Sequence, residues 1–157
     1  MSARTVNHST FVIERTYPAA PERVFAALAD PVRKRRWFAE GEGFGVDAFE
    51  MDFRVGGFER SRFKVKIPNT AGETPCANDS VYLDIVPNQR IVLAYTMTIG
   101  GKRISASQAT FELLSAGSGT QLIFTEQAAF FEGGDGPQIR EGGWRELFDR
   151  MAREVAQ

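Results

Sequence analysis

Gly142-Gly143-Trp144-Arg145-Glu146-Leu147-Phe148-Asp149-Arg150-Met151, continuing to Gln157, is the stretch that decides how the rest of this chain is read. Trp144, Leu147, Phe148, Met151 and Val155 follow the 3, 4, 7 and 11 spacing of a single helical face. Arg145, Glu146, Asp149, Arg150, Arg153 and Glu154 occupy the other faces. The spacing predicts one long amphipathic helix, from about Gln138 to Gln157, in a chain whose middle reads as strand after strand. A sheet with one helix to cover it must wrap that helix, and such a wrap can leave a cavity. That cavity is where function is expected.

Upstream of the helix the periodicity changes. Phe11, Ile13 and Tyr17 alternate with Thr10, Glu14 and Thr16 in a first strand, which Pro18 ends. Pro21 then opens a short helix carrying Val24, Phe25 and Leu28, and Asp30-Pro31 opens a second one toward Trp37. Glycines at 41, 43 and 45 mark a loop. Phe49, Met51, Phe53 and Val55 share one face of the next strand, and Gly56-Gly57 turns the chain into another with Phe63, Val65 and Ile67. Residues 68–79 read as a polar connection. Four further strands follow, over 81–86, 91–99, 104–114 and 120–129, separated by Pro87-Asn88-Gln89, Gly100-Gly101 and Gly117-Ser118-Gly119. Strands joined by turns this short are antiparallel neighbours, so the pattern predicts an α+β layer arrangement.

The 157 residues suit one domain spanning 1–157, with residues 1–9 frayed. A net charge of -1 supplies no steering toward nucleic acid or an anionic membrane, and neither is expected as a partner. Thirteen Phe against three Tyr and two Trp favour a thick apolar interior. Cys76 is the only cysteine, which leaves no intrachain disulfide and reads as an incidental thiol in a polar stretch. No apolar run approaches the roughly 18 residues that span a bilayer. The stretch Met1 to His8 lacks the apolar core of a signal peptide, so a cytoplasmic location is expected.

Five local motifs, in order, resemble the helix-grip, START-like superfamily, also called SRPBCC. They are Ala20-Pro21-Glu22-Arg23-Val24-Phe25 with Ala27 to Pro31 and Trp37; Met51-Asp52-Phe53-Arg54-Val55-Gly56-Gly57; Val81 to Val92; Gly119-Thr120-Gln121-Leu122 leading into Phe124-Thr125-Glu126; and Gly143-Trp144 through Leu147, Asp149 and Arg150. Within the superfamily the chain is most similar to homologues of the activator of the 90-kDa heat-shock-protein ATPase. The resemblance implies a helix-grip fold: a curved antiparallel sheet of about six to seven strands around a long C-terminal helix, with two short helices after the first strand. It also implies a functionally mixed family that includes polyketide cyclases and dehydratases. The eukaryotic co-chaperone carries an additional N-terminal domain that engages its chaperone. This sequence shows none, so chaperone contact is not expected.

Leu122, Phe124, Glu126, Ala128 and Phe130 share one strand face, which is apolar except for Glu126. A carboxylate aimed into an apolar interior is desolvated, and its pKa rises unless a cation or donors compensate. Such a group suits ligand orientation or proton transfer, whereas at a strand end it would reach solvent or pair with an arginine. Trp37 and Trp144 sit where helices approach the cavity, and serve equally as ring contacts for a ligand or as core. Phe53, Phe63, Phe111, Phe124 and Phe148 follow the inward parity. Asp52 and Arg54 share a strand face and can pair there. Arg33-Lys34-Arg35-Arg36 reads as a solvated helix face.

His8 is the only histidine and falls in the frayed start, which removes a Ser–His–Asp triad and a multi-histidine metal site from consideration. No CxxC, Walker loop or dinucleotide fingerprint occurs, and Gly41-Glu42-Gly43-Phe44-Gly45 follows no strand. No cofactor, metal ion or catalytic residue is expected. The reading reached from sequence is a binder of a small hydrophobic or amphipathic molecule. Its contacts would be Trp37, Phe53, Phe63, Phe111, Phe124, Glu126, Trp144 and Phe148, with the glycine-rich loop from Phe131 to Pro137 as a gate. A cyclase- or dehydratase-like enzyme using Glu126 as acid or base, and a chaperone-ATPase-modulating protein, are the alternatives. Exposed edge strands leave a homodimer open.

Overall fold

The chain begins at one edge of a sheet and is carried to the other edge before the meander starts. In the computed structural model, which describes residues 5–40 and 45–157, the strand order is β1-β7-β6-β5-β4-β3-β2. All neighbours are antiparallel. The strands are β1 (Val6–Tyr17), β2 (Gly45–Met51), β3 (Phe58–Val65), β4 (Thr74–Val86), β5 (Arg90–Ile99), β6 (Lys102–Ala116) and β7 (Gly119–Phe131). Because β1 and β2 are the two edges, the segment between them must cross the width of the sheet. It does so as α1 (Pro21–Ala29), α2 (Pro31–Lys34) and one wide π-helical turn, Arg35–Ala39. The last helix, α3 (Pro137–Val155), lies on the same concave face. This is the α+β helix-grip fold.

Local chemistry explains the boundaries. Pro21 and Pro31 sit at helix starts, where a missing N–H costs nothing. Asp30 ends α1 and caps α2, its Oδ1 accepting from Val32 N at 2.9 Å and Arg33 N at 3.2 Å. The Glu40 N–H reaches back to Arg35 O at 2.9 Å, the five-residue closure that widens the turn. Gly57 has no freedom to be anything else: a Cβ there would overlap Asp52 O. Arg54 closes the same turn through its Nε, 2.7 Å from Asp52 Oδ2, the pairing its spacing allowed.

Several elements depart from expectation. The frayed start gives way to strand at Val6, and His8 pairs with Ala129 of β7. Residues 1–4 and the loop marked by Gly41 and Gly43 lie outside the described residues. The strand expected to run to Val55 stops at Met51, so Phe53 sits in the turn and packs on Phe25 and Tyr82 at 5.8 and 5.0 Å between ring centroids. β4 starts at Thr74, inside the segment taken for a polar connection. Its inward positions Cys76, Asn78 and Ser80 are small or polar, and this concealed the alternation. Cys76 is accordingly buried, not an incidental surface thiol, and burial pushes its pKa up.

The filled part of the interior lies over β1, β7 and β6. Phe11, Ile13, Tyr17, Leu122, Phe124 and Phe111 pack there against Val24, Leu28, Phe148, Met151 and Val155. Each fully buried ring contributes about 1.5–3 kcal/mol. Polar ties hold the later part of α3 in place. Tyr17 donates its hydroxyl to Phe148 O at 3.1 Å, Arg15 pairs with Asp149 at 3.3 Å, and Arg36 pairs with Glu154 at 2.7 Å. Among the described residues no helix is long and apolar enough to cross a membrane.

Gly142 lies mid-helix on the exposed side of α3, and a Cβ there would meet nothing within 4 Å. Gly142→Ala is expected to raise the unfolding free energy by about 1 kcal/mol, because alanine has the higher helix propensity. Urea titration measures it, and a loss of stability would show that the position is not free.

Candidate functional site

Over β3, the first half of β4 and the second half of β5 the interior is not filled. A pocket of about 340 Å³ opens between these strands and the first half of α3. Its sheet wall carries Phe63, Val65, Leu93, Met97 and Ile99, and its helix wall Ile139, Gly143, Trp144 and Leu147. Phe38 and Ala39 of the π-helical turn close one side. Two polar clusters stand at its margins.

The first is built on Glu126, which is fully buried on β7. Its Oε1 accepts from the Tyr95 hydroxyl at 2.7 Å and from Trp144 Nε1 at 2.9 Å. Its Oε2 accepts from Ser107 Oγ at 3.1 Å and from Arg140 at 3.4 Å. Arg140 uses all five of its N–H groups: the others go to Asp135 at 2.7 and 2.9 Å, to Ser105 Oγ at 2.8 Å and to the Tyr95 oxygen at 2.9 Å. Burial drives the Glu126 carboxyl above its ordinary value, and Arg140, Tyr95, Ser107 and Trp144 pull it part of the way back. Burial likewise raises the Tyr95 phenol, with the Glu126 charge adding to it.

The second cluster corrects the reading of the basic run. Lys34 is only 2% exposed, with Nζ 3.2 Å from Glu59 Oε1. The same oxygen accepts from the Tyr82 hydroxyl at 2.6 Å. Nζ stands 4.7 Å from the Phe38 ring centroid and 5.4 Å from that of Trp37, close enough for cation–π attraction. Burial raises the Tyr82 phenol strongly, helped by the Glu59 charge. Among the described residues no cluster of His, Cys, Asp or Glu could hold a metal ion.

Residues 18–156 match the family described as Activator of Hsp90 ATPase homolog 1-like protein. The chain belongs to that family. Ligand binding is a known property of the Activator of Hsp90 ATPase homolog 1-like family, without a specific ligand or role for this chain. A crystal structure of a protein from Rhizobium loti is 48% identical, with a TM-score of 0.84 over 96% of this chain and 99% of that one. A protein from Rhizobium leguminosarum is 37% identical, with a TM-score of 0.87 over 99% of both chains. A Chromobacterium violaceum protein is 26% identical, with a TM-score of 0.75 over 94% of this chain and 98% of that one. No curated protein matches the chain significantly.

In this member of the family the eight residues named from sequence separate into four groups. Phe63 and Trp144 form part of the pocket wall. Glu126 stands one layer behind it, screened by Tyr95, Trp144 and Arg140. Phe111, Phe124 and Phe148 are fully buried core, with Phe124 4.5 Å from Trp144 and 5.2 Å from Phe148 between ring centroids. Trp37 is also core: its Nε1 donates to Ala27 O at 2.7 Å, and its neighbour Phe38 takes the wall position. Phe53 packs away from the pocket in its turn. In the loop expected to gate the pocket, Asp135 lines the wall and is held by Arg140.

Residues the sequence reading passed over were nevertheless marked. Arg140 lies four residues before Trp144, on the apolar stripe of α3, where a charge needs a partner. Lys34 is three and four residues from Trp37 and Phe38, hence on their face. Glu59 and Ser61 share period-two parity with Phe63.

Proposed function

We propose that the chain binds a hydrophobic or amphipathic small molecule between β3, β4 and β5 and the first half of α3. One observation carries this: a pocket of about 340 Å³ with mostly apolar walls, left unfilled in a chain that packs the other half of its interior with rings. Burial of ligand surface would supply most of the affinity. Glu126 acts through others here. It anchors Tyr95, Trp144 and Arg140, three side chains of the wall, and its own oxygens already accept four hydrogen bonds. The acid–base reading of Glu126 finds no support in this arrangement, because the carboxylate is not on the pocket wall.

Gly143 offers the test. It lines the pocket, and a Cβ there meets nothing within 4 Å. Gly143→Phe should fill the space while folding normally, since glycine is the poorer helix former. Native mass spectrometry of freshly purified protein is expected to show a bound small molecule in the wild type and none in the variant. Bare protein mass for both, with no thermal stabilisation of the wild type by excess β-methylnaphthalene, would sink the reading.

A further inference from the structure

Ser61 and Asn78 face each other across β3 and β4, on the sheet surface that lines the pocket. The Ser61 side chain is 3% exposed as a residue, yet its Oγ has no hydrogen-bond partner, and Asn78 Oδ1 is buried without one as well. A buried polar atom left unpaired costs free energy, and native structures carry few of them. Two such atoms, paired in register on the wall of one pocket, are a recognition surface that lacks its counterpart.

We infer that this pair is the polar subsite of the pocket, and that its ligand is a neutral amphiphile bearing a hydroxyl group on an apolar ring or chain. The inference rests on the pocket being a ligand site. The chemistry of the two atoms selects the group. Asn78 Oδ1 can only accept, so the ligand must donate; Ser61 Oγ can donate in return, so the ligand must also accept. A hydroxyl does both with a single atom. The charges nearby argue against an ionised head group. Lys34 is neutralised by Glu59, and Arg140 is paired with Asp135 and Glu126 with no N–H to spare. Arg150, the remaining cation of the lining, is engaged as well, and Glu59, Asp135 and Glu146 stand on the same lining. Among the described residues, an anion would therefore give up its hydration to an apolar wall whose cations are already committed.

Three matched probes separate the possibilities: β-naphthol, β-methylnaphthalene and β-naphthoate, titrated into the protein by calorimetry. The wild type is expected to bind β-naphthol about tenfold more tightly than β-methylnaphthalene, the value of one well-made hydrogen bond in a dry site, and to gain nothing from the carboxylate. Ser61→Ala is expected to abolish that preference while leaving β-methylnaphthalene affinity unchanged. The same variant should melt about 3 °C higher without ligand, because an unpaired buried hydroxyl has been removed. A retained tenfold preference in Ser61→Ala, or a lower melting temperature, overturns the polar subsite. Equal binding of β-naphthol and β-methylnaphthalene by the wild type overturns it too, with the pocket reading left standing. No binding of any probe removes the pocket reading and the inference together.

Discussion

Glu126→Gln is expected to lower the unfolding free energy by about 3 kcal/mol, although the two side chains are nearly the same shape. The carboxylate accepts from the Tyr95 hydroxyl, Trp144 Nε1, Ser107 Oγ and Arg140, and an amide must place an NH₂ where one oxygen stood. At Oε1 that NH₂ would oppose both Tyr95 and Trp144. At Oε2 Ser107 can turn its hydroxyl to accept, but the Arg140 guanidinium then faces a donor and loses its ion pair. The Oε2 placement is the cheaper one and still leaves a buried cation short of a partner. The pH dependence has a definite sign. Burial raises the folded-state pKa of Glu126 above its unfolded value, so the group contributes more stability below the ordinary carboxyl range and loses it as pH rises through the raised value. The gap between wild type and Gln is therefore widest in acid. Urea unfolding at a series of pH values measures it, and a variant as stable as the wild type throughout would show that the network does not hold the fold.

Alkaline unfolding is expected to be abrupt, because all three tyrosines of the chain are buried and hydrogen-bonded. Burial is the main cause that lifts each phenol above its usual range, with the Glu59 charge adding at Tyr82 and the Glu126 charge at Tyr95. Unfolded tyrosines lose their protons near pH 10, while the folded ones keep theirs. The folded state then binds more protons than the unfolded state, so stability falls as pH rises. Each tyrosine contributes about 1.4 kcal/mol per pH unit, and three together on the order of 4 kcal/mol per unit above about pH 10. A domain stabilised by the usual 5–15 kcal/mol is exhausted within about one to four such units. Ultraviolet absorbance should show no phenolate until circular dichroism reports cooperative unfolding, and then all three at once. Phenolate appearing stepwise while the fold persists would contradict the burial of these side chains.

Most of the architecture was legible in the residues because it rests on periodicity. The α3 face from Trp144 to Val155, the Asp30-Pro31 helix start and the turns at Gly56-Gly57 and Gly117 to Gly119 are local signals, each with a local cause. The misread elements share a different cause. β4 was shortened because Cys76, Asn78 and Ser80 do not alternate in hydrophobicity, and β2 was lengthened because Phe53 continues an apolar parity after the strand has ended. Lys34 was assigned to solvent because a run of basic residues ordinarily is solvated, whereas the wide turn after it folds its side chain over three rings. In each instance a contact distant in sequence overrode the local rule.

The candidate site divides along the same line. Inward parity placed Phe63 and Glu126 in the interior, and helical spacing placed Trp144 on the apolar face of α3. It could not tell a ring that fills space from a ring that borders it, since Phe124 and Phe63 carry the same signal. By itself the sequence determined an α+β sheet closed by one amphipathic helix, with a single carboxylate on the inward face of its last strand. Only the tertiary structure decided that this carboxylate lies behind the wall, that Lys34 and Arg140 are consumed by their own partners, and that Ser61 and Asn78 are left unmatched. Periodicity records which side of an element faces inward. Whether that side meets a neighbour or an empty space depends on the distance between elements, and many separate residues set that distance together.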